Sequence, residues 1–467
     1  MALPKSPSVT PSTVAEGGPS QPPRRRRARA GTAVLTGSVL VAGSLVAIQA
    51  PAAAGSVTTV RVSVSSRGAQ GIGTSGSAAR NQTVSANGQV VAFYSDADNL
   101  VRGDTNGDAD IVVRDLSSGR TSLASLSSTG TAANDFSIGP SLDSTGRRVA
   151  FLSYASNLVP GDTNDTADVF VRDRQAATTT RVSVSSSGKQ SSGLSEDAVI
   201  SANGRVVAFV SNGGDLVPPT GGIGGSQVYV HDLTSGRTRL VSAAPGGAPG
   251  SGDSNRPSLS ADGTKVAFQS TADDLVPDDT NGTCDGNGCP TDVFVRDVLA
   301  GSTVRASVRP DETQGISGSD PSISADGTRL VLLGKGLVPG DGTPGSDVYL
   351  RDLAAGTTSL VSRSAAGAQA RSVGAPELSG NGRTVVFSSM DALVAGDTNG
   401  EEDVFVRDLP ARTTRRASVS ATGAQGDSFS IDPDVSGDGR RVVFLSYATN
   451  LVPGDTNGML DVFSRSF

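Results

Sequence analysis

Short apolar runs recur along the chain from about residue 57 onward, each bracketed by Gly, Asn, Asp and Ser. One signal is a Ser, two residues, a Gly and then an apolar run. It reads SANGQVVAF (85–93), SANGRVVAF (201–209), SADGTKVAF (260–268), SADGTRLVL (324–332), SGNGRTVVF (379–387) and SGDGRRVVF (436–444), with STGRRVAF (144–151) one residue shorter. The glycines are Gly88, Gly146, Gly204, Gly263, Gly327, Gly382 and Gly439, at spacings of 58, 58, 59, 64, 55 and 57 residues. A second signal follows each: DIVVRDL, DVFVRDR, QVYVHDL, DVFVRDV, DVYLRDL, DVFVRDL and DVFSRSF. A third, TTTRVSVSS or a relative of it, follows the second in six of the seven units.

Each unit predicts four strands. The first is short, as in PSLS (257–260) or PDVS (433–436), with Pro tolerated at its start. An Asn-Gly or Asp-Gly turn, which accepts positive φ, leads into the VAF or VVF strand. The third is DVFVRD, and an L-x-x-G turn leads to the fourth, TTRVSVS. No segment carries a helical apolar stripe. A period near sixty residues with four strands per period predicts an all-β, seven-bladed β-propeller of four-stranded antiparallel blades. Tandem β-sandwiches need about a hundred residues per domain and do not give this period. The segment TTVRVSVSSRGAQ (58–70) matches TTTRVSVSSSGKQ (178–190), yet no first three strands precede it, and the seventh unit has its first three strands and no fourth. The ring is therefore expected to close by an N-terminal strand, about residues 57–66, completing blade seven; this also removes two exposed sheet edges.

The repeat S-x-D-G…V-A-F…D-V-F-V-R-D-L…G-x-T resembles the TolB-like, WD-repeat-like β-propeller repeat of exported bacterial proteins, over essentially all of residues 55–467. The resemblance implies the fold but leaves activity open, since relatives include scaffolds, binding modules and the propeller halves of peptidases. This chain carries no segment resembling a hydrolase domain beside the blades, and its D-T-N loops are not required by the generic repeat.

Composition adds the setting. Residues 1–54 hold a Pro/Ser-rich start, the basic cluster PRRRRARA, the uncharged stretch GTAVLTGSVLVAGSLVAI (31–48) and then QAPAAA, the ordered parts of a secretory signal, with cleavage expected after Ala54. Contact with membrane is expected only if that apolar stretch stays uncleaved. The whole chain has a formal net charge of -7; without residues 1–54, which hold six cations and one anion, it is -12. Such a charge disfavours nucleic acid and anionic membrane as partners. Cys284 and Cys289, in one short loop, are expected to form a disulfide in an exported protein. Two Cys and one distant His do not make a structural zinc site.

Candidate chemistry lies in the long connections between second and third strands. They read GDTNGDAD (103–110), GDTNDTAD (161–168), GDTNGEED (396–403) and GDTNGMLD (454–461), with DDTNGTCDGNGCPTD (278–292) in unit four, GDGTPGSD (340–347) in unit five and the acid-free PPTGGIGGSQ (218–227) in unit three. Oxygen side chains at alternate positions of a Gly-containing loop are how calcium loops gather hard ligands. The candidate ligands are Asp104, Asn106, Asp108 and Asp110 in unit one, Asp162, Asn164 and Asp168 in unit two, and Asp397, Asn399, Glu401 and Asp403 in unit six. Units one and six are the best supplied, and units three and five are expected to bind none. The competing reading is pure turn structure, because Asp and Asn beside Gly also suit Asx turns. The Arg-Asp pair ending strand three, such as Arg172–Asp173, reads as a solvated Arg beside a turn-starting Asp, and His231 in unit three reads as structural. No G-x-S-x-G, H-E-x-x-H or phosphate-binding glycine loop is present, so no catalytic residue is assigned. The expectation is a secreted, non-enzymatic module that binds a protein or another extracellular ligand through its loop face. The alternative is a propeller hydrolase or lyase with a carboxylate/cation site on the loop face.

Overall fold

In each repeat the D-V-F-V-R-D run pairs over six residues with the apolar run before it, because both alternate residues that can be buried on either side of the sheet. In blade two, Ser137–Leu142, Arg148–Ser153, Asp168–Asp173 and Thr178–Arg181 form one antiparallel sheet in that order. Its register sets Phe151 opposite Phe170, and Phe170 opposite Arg181. The computed structural model describes residues 57–76, 82–218, 225–280, 290–342 and 345–467. They form seven such four-stranded sheets. Among the described residues no helix is long and apolar enough to cross a membrane. Residues 1–54, with the expected secretory signal, and Cys284 and Cys289, with the expected disulfide, lie outside the described residues.

The ring closes as the repeat pattern predicts. Thr59–Arg61 joins Asp461–Ser466 as the fourth strand of blade seven, with Arg61 opposite Phe463. The seam continues where Val62 N–H donates to the Val462 carbonyl at 2.7 Å.

Seven apolar clusters among the described residues hold neighbouring blades together, and each is shared by two blades. Cross-strand aromatic pairs on one blade, such as Phe151–Phe170 with centroids 5.9 Å apart, pack against smaller residues such as Ala92, Ile111 and Val113 on the blade before. Large against small fills the wedge between two twisted sheets, and each buried ring contributes about 2–3 kcal/mol. At Gly146, where φ is 70°, an added Cβ would lie 2.6 Å from Val90 of blade one. Glycine is needed there for the turn and for the approach of the neighbouring blade.

One ring of backbone hydrogen bonds and a set of side-chain stitches surround the axis. On the face of the tight turns, backbone donors run from Ala86 to Ser144, Ser144 to Ala202, Asn203 to Ala261, Ala261 to Ala325, Ala325 to Gly380, Asn381 to Gly437 and Asp438 back to Ala86, all at 2.8–3.0 Å. Deeper in the channel, a hydroxyl on one blade accepts the backbone N–H of the next. Ser141 serves Ile200, Ser258 serves Ile323 and Ser322 serves Leu378.

One strand-end reading is corrected. Arg172 is not solvated: it is 6% exposed and donates to the carbonyls of Leu126, Ser127 and Ala177 and to Thr179 Oγ1. It clamps the preceding blade's outer edge through Nη1, whose protons are shared among these acceptors. Asp173 does start the turn, accepting from Gln175 and Ala176 N–H. His231, at the same position in blade three, is buried with Nδ1 2.9 Å from Thr238 Oγ1, and burial holds its pKa down.

Candidate functional site: the loop face and the channel it surrounds

The topology puts the described parts of the acidic loops on the face opposite the tight turns. In blade two the loop's two carboxylates turn inward and meet a cation from their own chain. The Arg181 guanidinium contacts Asp162 at 3.0 Å and Asp168 at 3.1 Å, and also donates to the Gly161 carbonyl at 3.1 Å. Gln190 Nε2 adds donors to Asp162 at 3.0 Å and Asp168 at 3.1 Å, while Ser183 Oγ donates to the other Asp168 oxygen. Arg416 does the same for Asp397 and Asp403, Arg61 for Asp455 and Asp461, and Arg305 for Asp279 and, at 3.7 Å, Asp292. The outermost strand thus carries an Arg that reaches across the third strand into the loop. Burial raises the pKa of Asp168, and the Arg181 charge and the Ser183 hydroxyl oppose that rise.

Blade five uses neutral donors instead. Tyr349 Oη donates to Asp341, and Gln369 Nε2 donates to Asp341 and Asp347, each at 2.9 Å. In blade three Gln227 stands in the Asp168 position.

Blade one is different. Leu123 stands at the Arg181 position and Ala132 at the Gln190 position, as the shared registers show. Asp104 and Asp110 are 6% and 0% exposed; Asp104 Oδ1 and Asp110 Oδ2 make no close hydrogen bond, and the groups nearest Asp110 besides Ser125 are the Asn106 amide and Asp104 itself. Ser125 serves the other Asp110 oxygen. Burial, with the Asp110 charge second, pushes the Asp104 pKa up to about 7. Burial also raises Asp110.

The remaining loop residues are turn formers. Asn106 accepts from Asp108 N–H at 3.1 Å and donates to the Ala133 carbonyl; its amide nitrogen, not its oxygen, faces Asp110. Asn164 donates to Asp168 and Asn399 to Asp403, both at 3.3 Å, while Glu401 is exposed. Among the described residues no group of three or more Asp, Glu, His or Cys side chains gathers as a metal site.

The channel holds carboxyls that belong to none of the loop motifs. A cavity of about 310 Å³ is lined by Glu377 and Asp434 on adjacent blades, together with Ser258 and Ser322. Asp434 takes the place of the serine stitch, accepting from Thr83 Oγ1 at 2.8 Å and Val84 N–H at 3.2 Å in blade one. Burial and the nearby Asp434 charge raise Glu377 well above its ordinary pKa, and burial raises Asp434. Above them the innermost strands bulge at Asp197, Arg256, Asp320, Ala375 and Asp432, which hold φ between 44° and 54°. Positive φ at non-glycine residues costs energy and persists only where the surroundings impose it. The signal was present in the repeats: P-E-L and P-D-V stand in units six and seven where units four and five read P-S-x.

No family model and no curated protein matches the sequence. Solved structures do resemble the fold. An oligogalacturonate lyase in complex with manganese aligns at 13% identity and TM-score 0.51, over 88% of this chain and 96% of that one. The oligogalacturonate lyase of Vibrio parahaemolyticus aligns at 11% identity and TM-score 0.51, over 88% and 97%. TolB from Acinetobacter baumannii aligns at 15% identity and TM-score 0.38, over 66% of this chain; the chain spans 58% of TolB. At these identities the likeness is one of fold. The chain is a seven-bladed β-propeller, and its structural neighbours include TolB.

Proposed function

We propose that the protein is an exported β-propeller that acts as a binding module, engaging an extracytoplasmic protein or other ligand through its loop face. The supporting observation is a face whose loops are held in place by internal donors and which also displays apolar groups. Arg61, Arg181 and Arg416 each bridge two acids of one loop, in blades seven, two and six, and Arg305 pairs with Asp279 and Asp292 at the two ends of the blade-four loop. On the same face Ile72, Tyr154, Ile316, Met390, Tyr447 and Met459 are exposed, six of the ten exposed large apolar residues described. Tyr154 and Tyr447 each carry a second ring, Phe136 at 4.5 Å and Phe429 at 5.1 Å. Loops that need no ordering, bearing aromatic anchors, are what binding surfaces use to limit the entropic cost of association. Export is supported by the secretory pattern of residues 1–54.

The test immobilises the purified protein and challenges it with extracytoplasmic and cell-surface fractions of its source. Retention should be lost in Tyr154→Ala/Tyr447→Ala and kept in Leu299→Ala, which removes a side chain 72% exposed on the turn face. No retained component, or equal retention by both variants, would overturn the reading.

A second reading, a hydrolase or lyase, has one observation in its favour: the channel-lining carboxyls of Glu377 and Asp434, whose raised pKa values suit proton donation. A panel of glycan, ester and peptide substrates decides it. Turnover that disappears in Glu377→Gln supports it, and no turnover on any substrate removes it.

A further inference from the structure

We propose that the loop of blade one is a site for a hard divalent cation of the calcium class, with Asp104 and Asp110 as its carboxylate ligands. The proposal rests on a coordinated replacement. In blades two, four, six and seven a guanidinium lies between the two loop carboxylates, and in blades two and four a glutamine amide also serves both of them. In blade five a tyrosine and a glutamine serve the pair. Blade one keeps both carboxylates but has Leu123 for the Arg, Ala132 for the Gln and Val112 where blade five has Tyr349. It is therefore the described loop that retains the acids and loses every one of these donors.

The consequence is physical. Two carboxylate oxygens, on residues 6% and 0% exposed, make no close hydrogen bond, and the one neutral amide beside them, Asn106, carries no charge to offset theirs. Burying such groups costs several kcal/mol unless a charge or a hydrogen bond compensates. Asp98 and Asp108 add negative potential beside them. A cation placed where the guanidinium lies elsewhere compensates both oxygens. The Gly103 carbonyl is the counterpart of the Gly161, Gly396 and Gly454 carbonyls that accept from the arginines, and it offers a third hard oxygen. Water completes the shell, as calcium sites with few protein ligands allow. With two carboxylates the affinity belongs in the range of extracellular modules, a Kd of about 10⁻⁴ to 10⁻³ M. The competing occupant is a proton shared between Asp104 and Asp110, and the experiment separates the two. The inference is independent of what the loop face binds.

Purified protein, stripped with chelator, is titrated with calcium chloride by calorimetry at pH 7.5, with magnesium chloride and manganese chloride in parallel, and its Tm is read with and without metal. One calcium per chain is expected, with a rise in Tm. Leu123→Arg/Ala132→Gln, which rebuilds the blade-two donor set on blade one, should lose calcium binding and no longer need the metal for full Tm. Asp104→Asn removes a ligand and the carboxylate repulsion together, so it should fold, fail to bind, and decide the matter if the double variant does not fold. No calcium uptake by the wild type, uptake unchanged in either variant, or tighter binding of magnesium than of calcium would overturn the proposal.

Discussion

Blades one and two carry acidic loops that differ at two of eight positions, GDTNGDAD against GDTNDTAD, yet their carboxylates end in opposite circumstances. In blade two Asp162 and Asp168 close on Arg181 and Gln190; in blade one Asp104 and Asp110 face each other with no cation between them and two oxygens that make no close hydrogen bond. The difference is not in the loop. It lies thirteen residues beyond the last loop Asp, where the outer strand supplies Arg181 or Leu123, and at the Gln190 or Ala132 position after it. An acidic turn motif thus says little about cation binding until its neighbouring strand is known, because a buried carboxylate pair is satisfied equally well by an internal guanidinium. Blade six, richer in acids than blade one, has Arg416 in that place.

The comparison breaks most severely if an internal cation is removed. Arg181→Ala strands Asp162 and Asp168, whose side chains are 7% and 0% exposed, and should cost about 3–5 kcal/mol in denaturant unfolding. Arg181→Leu/Gln190→Ala makes blade two resemble blade one; its Tm should fall in chelator and recover in part with millimolar calcium. A loss that calcium leaves untouched would separate the two loops for a reason other than the missing donors.

Asp434→Ala should cost about 2–3 kcal/mol, because it leaves buried donors of Thr83 and Val84 without an acceptor. Ser258→Ala, which strands the Ile323 N–H alone, should cost about 1 kcal/mol. Equal losses would mean that blade one is stitched into the ring no differently from blade five.

The pH dependence gives a smaller and more specific contrast. The Asp104 pKa is raised from its ordinary 3.8 to about 7, so the folded chain binds the proton more tightly than the unfolded one. Stability is then undiminished below pH 4, falls as pH rises, and carries the full penalty above pH 7. In chelator the Tm of the wild type should decline between pH 5 and 8 more than that of Leu123→Arg/Ala132→Gln, and calcium should flatten the wild-type slope. Glu377 and Asp434 shift in the same direction in both proteins, so the difference between the two profiles isolates blade one. The smallest effect belongs to Ser117→Ala, which removes one exposed hydroxyl donor to Asp115 in a turn that two backbone N–H groups also hold, and should change Tm by about a degree or less.

Much of the architecture could be read from repetition alone. The period of the Ser-x-x-Gly glycines, the four strand signals per period and the match of TTVRVSVSS with TTTRVSVSS specify the blades and the seam between Arg61 and Phe463. They are local features, repeated often enough that chance is excluded. The loop residues were legible as turn formers and as candidate ligands, but not as one or the other. Arg181 and Asp168 are thirteen residues apart in a chain with many Arg and Asp, and only the pairing of outer and third strands makes them partners.

The channel required the ring itself. Glu377 and Asp434 lie fifty-seven residues apart and meet because successive innermost strands face one axis. The bulges at Asp197, Asp320 and Asp432 turn on a backbone conformation that no residue type announces. What the sequence by itself determined is the unit, its number and its closure, since each follows from strand-length apolar patterns and turn chemistry. Which buried carboxylates are neutralised, and which are left for a ligand, was decided only by tertiary structure, because charge compensation depends on distance through space and not along the chain.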